Sequence, residues 1–290
     1  MSKPLQPQSA IALTLLLMTS TAAAAQNSPS STSTKLLSVT GPYLGQTPPG
    51  LTPKPFAPGL VSTEQTLESE VLFLPDMSAL SFTRYEKGAY PDLYVIKHHN
   101  NQWHQHLVSA EAAKTYNEQF SPSVETLKQQ AVFKDIPVVG YTTSSAGTQF
   151  FYELDLKDGS GHMSYSRLID GQYETPIKMS DAVNQGKYIA HPFVAPDESY
   201  LMWDAEKEGE STPDIYISFK QKDGSWGKAI NMGDKINTPL YEQRPKVTPD
   251  GKYLFFWKGD VKTNADGSRY VVGGPHWVDA KIIDTLKSKQ

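Results

Sequence analysis

The sequence predicts an all-β fold: a β-propeller with four clear four-stranded blades plus an insertion or vestigial fifth blade, its ring closed by an N-terminal strand. Three observations predict it. One turn-and-strand pattern recurs four times, the recurrences stay in register, and the two ends of the repeat complete each other.

The recurring turns are Pro75-Asp76-Met77, Ser145-Ala146-Gly147, Pro196-Asp197-Glu198 and Pro249-Asp250-Gly251. Proline presets φ, and Asp or Gly accepts the tight geometry. Pro196 follows Ser145 by 51 residues and precedes Pro249 by 53. A generic sandwich does not hold columns in register over such intervals. Short β-like runs precede the turns, as in Glu70–Leu74 and His191–Val194. Leu80, Phe150, Leu201 and Leu254 follow at one position, and Phe82, Tyr152, Trp203 and Phe256 two further on. Strand, turn and aromatic strand make a hairpin.

A third strand is expected at Asp92-Leu93-Tyr94, Met163-Ser164-Tyr165 and Asp214-Ile215-Tyr216. Polar turns (Asn100-Asn101, Asp170-Gly171, Asp223-Gly224) then lead to Trp103, Tyr173 and Trp226, each opening a fourth strand. The last unit has strands at Arg244–Val247, Tyr253–Trp257 and Tyr270–Val278, then a helical pattern over Ala280–Lys287 and no fourth strand. Pro55–Gly59 resembles the missing column, and Ala57 stands 18 residues before Pro75, as Lys178 stands before Pro196. The N-terminal segment therefore supplies the outer strand of the last blade, which removes an exposed sheet edge. One stretch breaks the period: 37 residues separate Val108 from Ser145. There Asn117–Pro122 reads as the start of a further unit that then fails, with a short helix over Ser123–Ala131 as the alternative.

The chain begins with an export signal at residues 1–25. Lys3 supplies the positive end, Ala10–Met18 is an apolar run too short to span a bilayer, and Thr21–Ala25 gives small residues for cleavage. Residues 26–38 read as a flexible Ser/Thr-rich leader, and residues 39–290 as a single propeller domain with a short C-terminal helix. No later segment is apolar enough to cross a membrane. Zero cysteines exclude disulfide scaffolds and thiolate metal sites, and a net charge of −4 gives no footprint for nucleic acid.

The phrases His191–Leu201 and Val247–Phe256, with Asp214–Phe219 and His276–Lys281, resemble the bacterial WD40-like Pro-Asp β-propeller repeat family. That repeat type is shared with the propeller domain of the periplasmic protein of the Tol–Pal system. The resemblance spans about residues 40–285 and implies an exported, periplasmic or secreted propeller. Relatives of this form usually read as five units, and here the second unit is cut down. The turns that carry the resemblance are structural and say little about chemistry.

Hydrolase, zincin and nucleotide fingerprints are absent. Three candidates carry polar chemistry. His99, His104 and His106 share one face of the Asn100-Asn101 hairpin and are candidates for a transition metal, although Lys97 shares that face. Asp155, Asp158, Asp260 and Asp266 lie in Gly-containing loops that can hold calcium, although Asp-Gly is also the ordinary turn pair. The ring axis is the third. There Glu70, His191, Glu242 and Arg244, with Tyr188 and Tyr241 just upstream, suit a sugar, a peptide or a partner loop. No cofactor is expected beyond these two metal candidates. The expected function is a non-catalytic binding or scaffolding module for a protein or glycan of the cell envelope. The alternative is a carbohydrate lyase or hydrolase with its site on the axis.

Overall fold

The computed structural model describes residues 34–287 apart from 65, 87–89, 156, 208 and 210–211. The expected export signal and the expected leader up to residue 33 lie outside the described residues. No helix among those described is long and apolar enough to cross a membrane. The chain is mostly β, arranged as successive antiparallel sheet units.

The four recurring turns share one construction. The amide of the third turn residue donates to the carbonyl three residues earlier: Met77 to Leu74 (2.9 Å), Gly147 to Ser144 (3.0 Å), Glu198 to Ala195 (2.8 Å) and Gly251 to Thr248 (2.8 Å). That residue has positive φ in all four, the left-handed position that follows a type I turn in a hairpin. The carboxylates of Asp76, Asp197 and Asp250 accept the amides of Ser78, Ser199 and Lys252, so each aspartate braces its own turn.

The first unit runs from the interrupted strand Leu67–Glu68 and Leu72–Phe73 through Ala79–Tyr85 and Asp92–His99 to Gln102–Val108. The second contains Val138–Thr143, Gln149–Leu154, Gly161–Ser166 and Ile177–Lys178. The third contains Lys187–Val194, Tyr200–Glu206, Pro213–Phe219 and Ile230–Asn231. The fourth has Tyr241–Val247, Tyr253–Thr263 and Arg269–Asp279. Its outer strand is Lys54–Pro55, which pairs with Trp277 and His276 from the far end of the chain. The expected segment Pro55–Gly59 is thus cut down: the strand starts one residue earlier, at Lys54, and ends at Pro55. After the Phe56 amide bonds to Pro275 (2.9 Å), Ala57 takes φ 44° and the chain leaves the sheet.

The first strand of the third unit packs against the first strands of both neighbours. Leu67 pairs in parallel with Gly273, which ties the first unit to the fourth. An aromatic seam reinforces that junction. Tyr43, Leu44, Phe56 and Val61 from the N-terminal segment are buried with Leu80, Phe82 and Trp103 of the first unit and Phe255 and Trp277 of the fourth.

Three expectations are corrected. Residues 34–36, assigned to the flexible leader, form a strand antiparallel to Gln102–Val108, adding to the outer edge of the first unit. Asn117–Phe120 do not start a unit but end a helix, Ala110–Phe120, whose Ser109 side chain caps the Ala112 amide. Good helix formers and this cap outweigh the weak turn signal at Ser121-Pro122. That helix covers Leu93, Val95 and Val108 of the first unit, while Val124–Lys128 and the turn after it cover Val138 and Phe151 of the second. Finally, the fourth strands of the second and third units are short. Tyr173 pairs with Leu168 in a separate two-stranded ribbon, and Trp226 makes only a single bridge to Lys220. Pro176, lacking an amide proton, separates Tyr173 from Ile177.

Candidate functional site

Five residues before each recurring turn stand Glu70, Gly140, His191 and Arg244. Every first strand departs from regular pairing at this column. The first unit breaks between Glu68 and Leu72, and the ladder shifts between Val138 and Gly140, Ala190 and Phe193, and Gln243 and Lys246. His191 and Arg244 take φ 50° and 58°. A left-handed residue other than glycine costs ~1–2 kcal/mol, so tertiary contacts hold these two in place. The bulge re-aims their side chains out of the normal alternation.

Arg244 is turned to the first unit and His191 to Asp204 of its own unit. Arg244 Nη1 lies 3.2 Å from Glu70 Oε1, and Lys246 Nζ lies 3.4 Å from Glu70 Oε2, so two units supply one ion cluster. The third unit adds His191, whose Nδ1 is 2.9 Å from Asp204 Oδ1. That same oxygen accepts the Arg244 backbone amide at 2.8 Å. The second unit contributes Tyr152, whose ring centroid lies 5.9 Å from that of His191. Gly140 makes the room: a Cβ there would stand 2.6 Å from Tyr152 Cε1. Asp204 is 1% exposed at its side chain, whereas Arg244 and Lys246 keep 28% and 34%. The aspartate therefore braces the cluster from below while the cations reach solvent.

The electrostatics follow from this packing. Burial works to raise the Glu70 pKa, but Lys246, Arg244 and His191 outweigh it and hold the carboxyl at about 2. Burial, aided by the Asp204 and Glu70 charges, pushes the Tyr152 phenol up to about 12. Both groups keep fixed protonation through the neutral range.

Of the six residues expected at one site, the structure brings Glu70, His191 and Arg244 together. Glu242 is corrected: it is fully buried, with Thr238 Oγ1 donating to it at 2.6 Å and Lys258 Nζ at 3.3 Å. Glu68 of the first unit repeats this arrangement, bonded by Thr63 and ion-paired to Arg84 at 3.1 Å. Both glutamates stand seven residues before their turns and both cations nine after. The pair is a structural device of two units. Tyr241 lies where it feels Arg269, Glu206 and Asp260, outside the cluster. Tyr188 packs its ring against Gly159 and lines a cleft on the third unit. Tyr152, Asp204 and Lys246 were missed, although an aspartate inside the apolar run Leu201–Ala205 is a readable signal of a buried polar role.

The metal candidates resolve differently. Asn100 and Asn101 form the expected turn, both at positive φ, and His99, His104 and His106 share a face with Lys97 as expected. His106 Nδ1, however, is 3.0 Å from Thr34 Oγ1, and burial, Lys97 and His104 lower its pKa. Asp155, Asp158 and Asp266 accept the amides of Lys157, Ser160 and Ser268, while Asp260 pairs with Lys262. Among the described residues no three His, Asp or Glu gather to hold one ion.

Fold and cluster together define a mostly β protein of repeated four-stranded sheet units with polar groups meeting where the first strands converge. No protein-family model matches the sequence, and no curated protein matches it. Solved structures are similar at a distance. TolB from Acinetobacter baumannii shares 12% identity over 72% of this chain and 44% of its own, at a TM-score of 0.33. NanB sialidase from Streptococcus pneumoniae shares 12% over 74% and 30%, at 0.32. The periplasmic gluconolactonase PpgL from Pseudomonas aeruginosa shares 12% over 71% and 61%, at 0.29. The chain spans less than two thirds of each.

Proposed function

We propose that the chain is an exported β-propeller of the cell envelope that binds a ligand without catalysis. In this reading the four sheet units stand as blades, Lys54–Pro55 closes the ring, and the helical stretch 110–133 occupies the place of a fifth blade. The ligand sits on the axis, over Glu70, Tyr152, His191, Arg244 and Lys246. One observation carries the reading: all four units bend or break their first strands at the same column, and in three of them Glu70, His191 or Arg244 stands there as part of one cluster. Bulges repeated at a common position are a device for aiming side chains, and strain of this kind concentrates at functional sites. Charges of both signs, already paired, suit a polar segment of an envelope protein or glycan that brings its own donors and acceptors.

The enzyme reading has one observation in its favour, since Asp204 orients His191 as it would a general base. Proton transfer to a sugar bond also needs an acid near neutrality. Glu70 at about 2 and Tyr152 at about 12 supply none. The test is affinity capture from envelope extract with the native protein and with Arg244→Lys and Arg244→Ala, beside a polysaccharide turnover screen. A component retained by the native protein and lost with Arg244→Ala supports binding at the axis. Turnover with nothing retained overturns it.

A further inference from the structure

A pocket of about 320 Å³ lies between the second and third units, at the end of the sheets where their recurring turns stand. Its floor is aromatic. Phe150 of the second unit is buried, its ring centroid 5.9 Å from that of Tyr165 and 5.7 Å from that of Trp226 of the third unit, which it meets edge-on. Tyr165 and Trp226 are only half-buried, and Ile177 beside them is 38% exposed. Three cations border these apolar faces: Arg167, Lys178 and Lys220. Arg167 pairs with Glu174, and Lys220 pairs with Glu198 while its Nζ lies 5.9 Å over the Trp226 ring. Lys178 is exposed and has no ionic partner among the described residues.

The first unit shows what covers a tryptophan at this place in the repeat. Trp103 and Trp226 each stand two residues past their polar turns, Asn100-Asn101 and Asp223-Gly224. Trp103 is 3% exposed, because an extended segment of the chain lies over it. Thr34–Leu36 pair with its strand, the Leu37 amide donates to Trp103 O at 2.9 Å, and Trp103 Nε1 donates to Gly41 O at 2.8 Å. Trp226 has no such cover. It makes a single bridge, to Lys220, and its indole nitrogen, which is not buried, donates to no group among the described residues.

We infer that this pocket binds an extended acidic peptide segment of a partner protein. Side chains two apart in an extended chain point the same way, so an apolar residue enters over Tyr165 and Trp226 while carboxylates two residues to either side reach the bordering cations. A backbone carbonyl accepts from Trp226 Nε1, as Gly41 O does from Trp103. Lys178 supplies the charge that no carboxylate of this chain already takes up, which favours an acidic occupant over a neutral one. The pocket shares no residue with the central cluster, and a peptide here does not depend on a ligand on the axis.

The test is fluorescence anisotropy with the full chain and a labelled serine peptide carrying valine at its centre and glutamate two residues to either side. The same peptide with lysine in place of glutamate, and an oligogalacturonide as an acidic competitor without a peptide backbone, are the controls. Saturable binding of the acidic peptide alone is expected. Lys178→Glu changes an exposed position and should weaken that binding about tenfold. Trp226→Phe keeps a ring against Phe150 but deletes the donor, and should weaken it about fivefold. Lys114→Glu, exposed on the helix Ala110–Phe120, alters the net charge equally outside the pocket and should leave the affinity unchanged. No saturable binding of the acidic peptide, equal affinity for the lysine peptide, competition by the oligogalacturonide at equal strength, unaltered affinity in either pocket variant, or an equal loss with Lys114→Glu overturns the assignment.

Discussion

Glu70 is a carboxylate held among cations, and this couples the central cluster to acid stability. Its pKa falls from 4.5 to about 2 on folding, against the opposing effect of burial. A carboxyl depressed in this way contributes stability that is present above its unfolded pKa and lost as pH falls toward the folded one. The interaction is worth roughly 3 kcal/mol at neutral pH, disappearing between about pH 4.5 and 2. Asp250 acts in the same window. Burial opposes its ionisation, but Tyr43 donates to it at 2.6 Å and, with Thr248, helps bring it from 3.8 to about 2. Urea unfolding followed from neutral pH downward should show a steep acid loss in the native protein. Glu70→Gln should lower neutral stability and flatten that slope; an unchanged slope would remove Glu70 from the account.

At the scale of elements, the longest hairpin, Tyr253–Thr263 with Arg269–Asp279, depends on two glycines facing each other. Trp257 lays its indole across them and donates to Glu68 O at 2.8 Å, which fastens the fourth unit to the first. A Cβ on Gly273 would stand 2.5 Å from Trp257 Cζ2 and 2.6 Å from the Gly259 Cα. Gly273→Ala should therefore cost about 1–3 kcal/mol by overpacking, read as a lowered thermal midpoint. The strand cores Tyr253–Trp257 and Tyr270–Val278 were legible in the sequence, but the stretch around Asp260, expected there as a loop, continues the strand to Thr263 with Asp260 opposite Val272. The crossing indole was not legible, because it depends on which strand of another unit lies opposite.

For the whole molecule, the N-terminal segment joins the first and last units. Phe56 is fully buried and its ring meets those of Phe73, Phe255 and Trp277 at centroid distances of 6.4, 4.9 and 5.3 Å. Phe56→Ala should destabilise by about 3–5 kcal/mol. A chain starting at residue 63 leaves the last unit with an open edge at Pro275–Trp277 and should self-associate, as measured by light scattering. If it stays monomeric with unchanged cooperativity, the seam is not what holds the ends together.

The inner strands of the four units, the four turns and the exchange of an N-terminal strand into the last unit were determined by the sequence itself. Their causes are local or periodic: proline and aspartate at turns, alternating apolar residues, and a fixed spacing between columns. Only the tertiary structure decided which polar residues meet. Glu242 and Arg244 are two apart, and in an unbroken strand they share a face. The bulge that puts Arg244 at φ 58° separates them, sending Arg244 to Glu70 and leaving Glu242 with Lys258. That bulge is held by the Asp204 carboxylate from another unit, a contact 40 residues away in the chain and invisible to any local pattern.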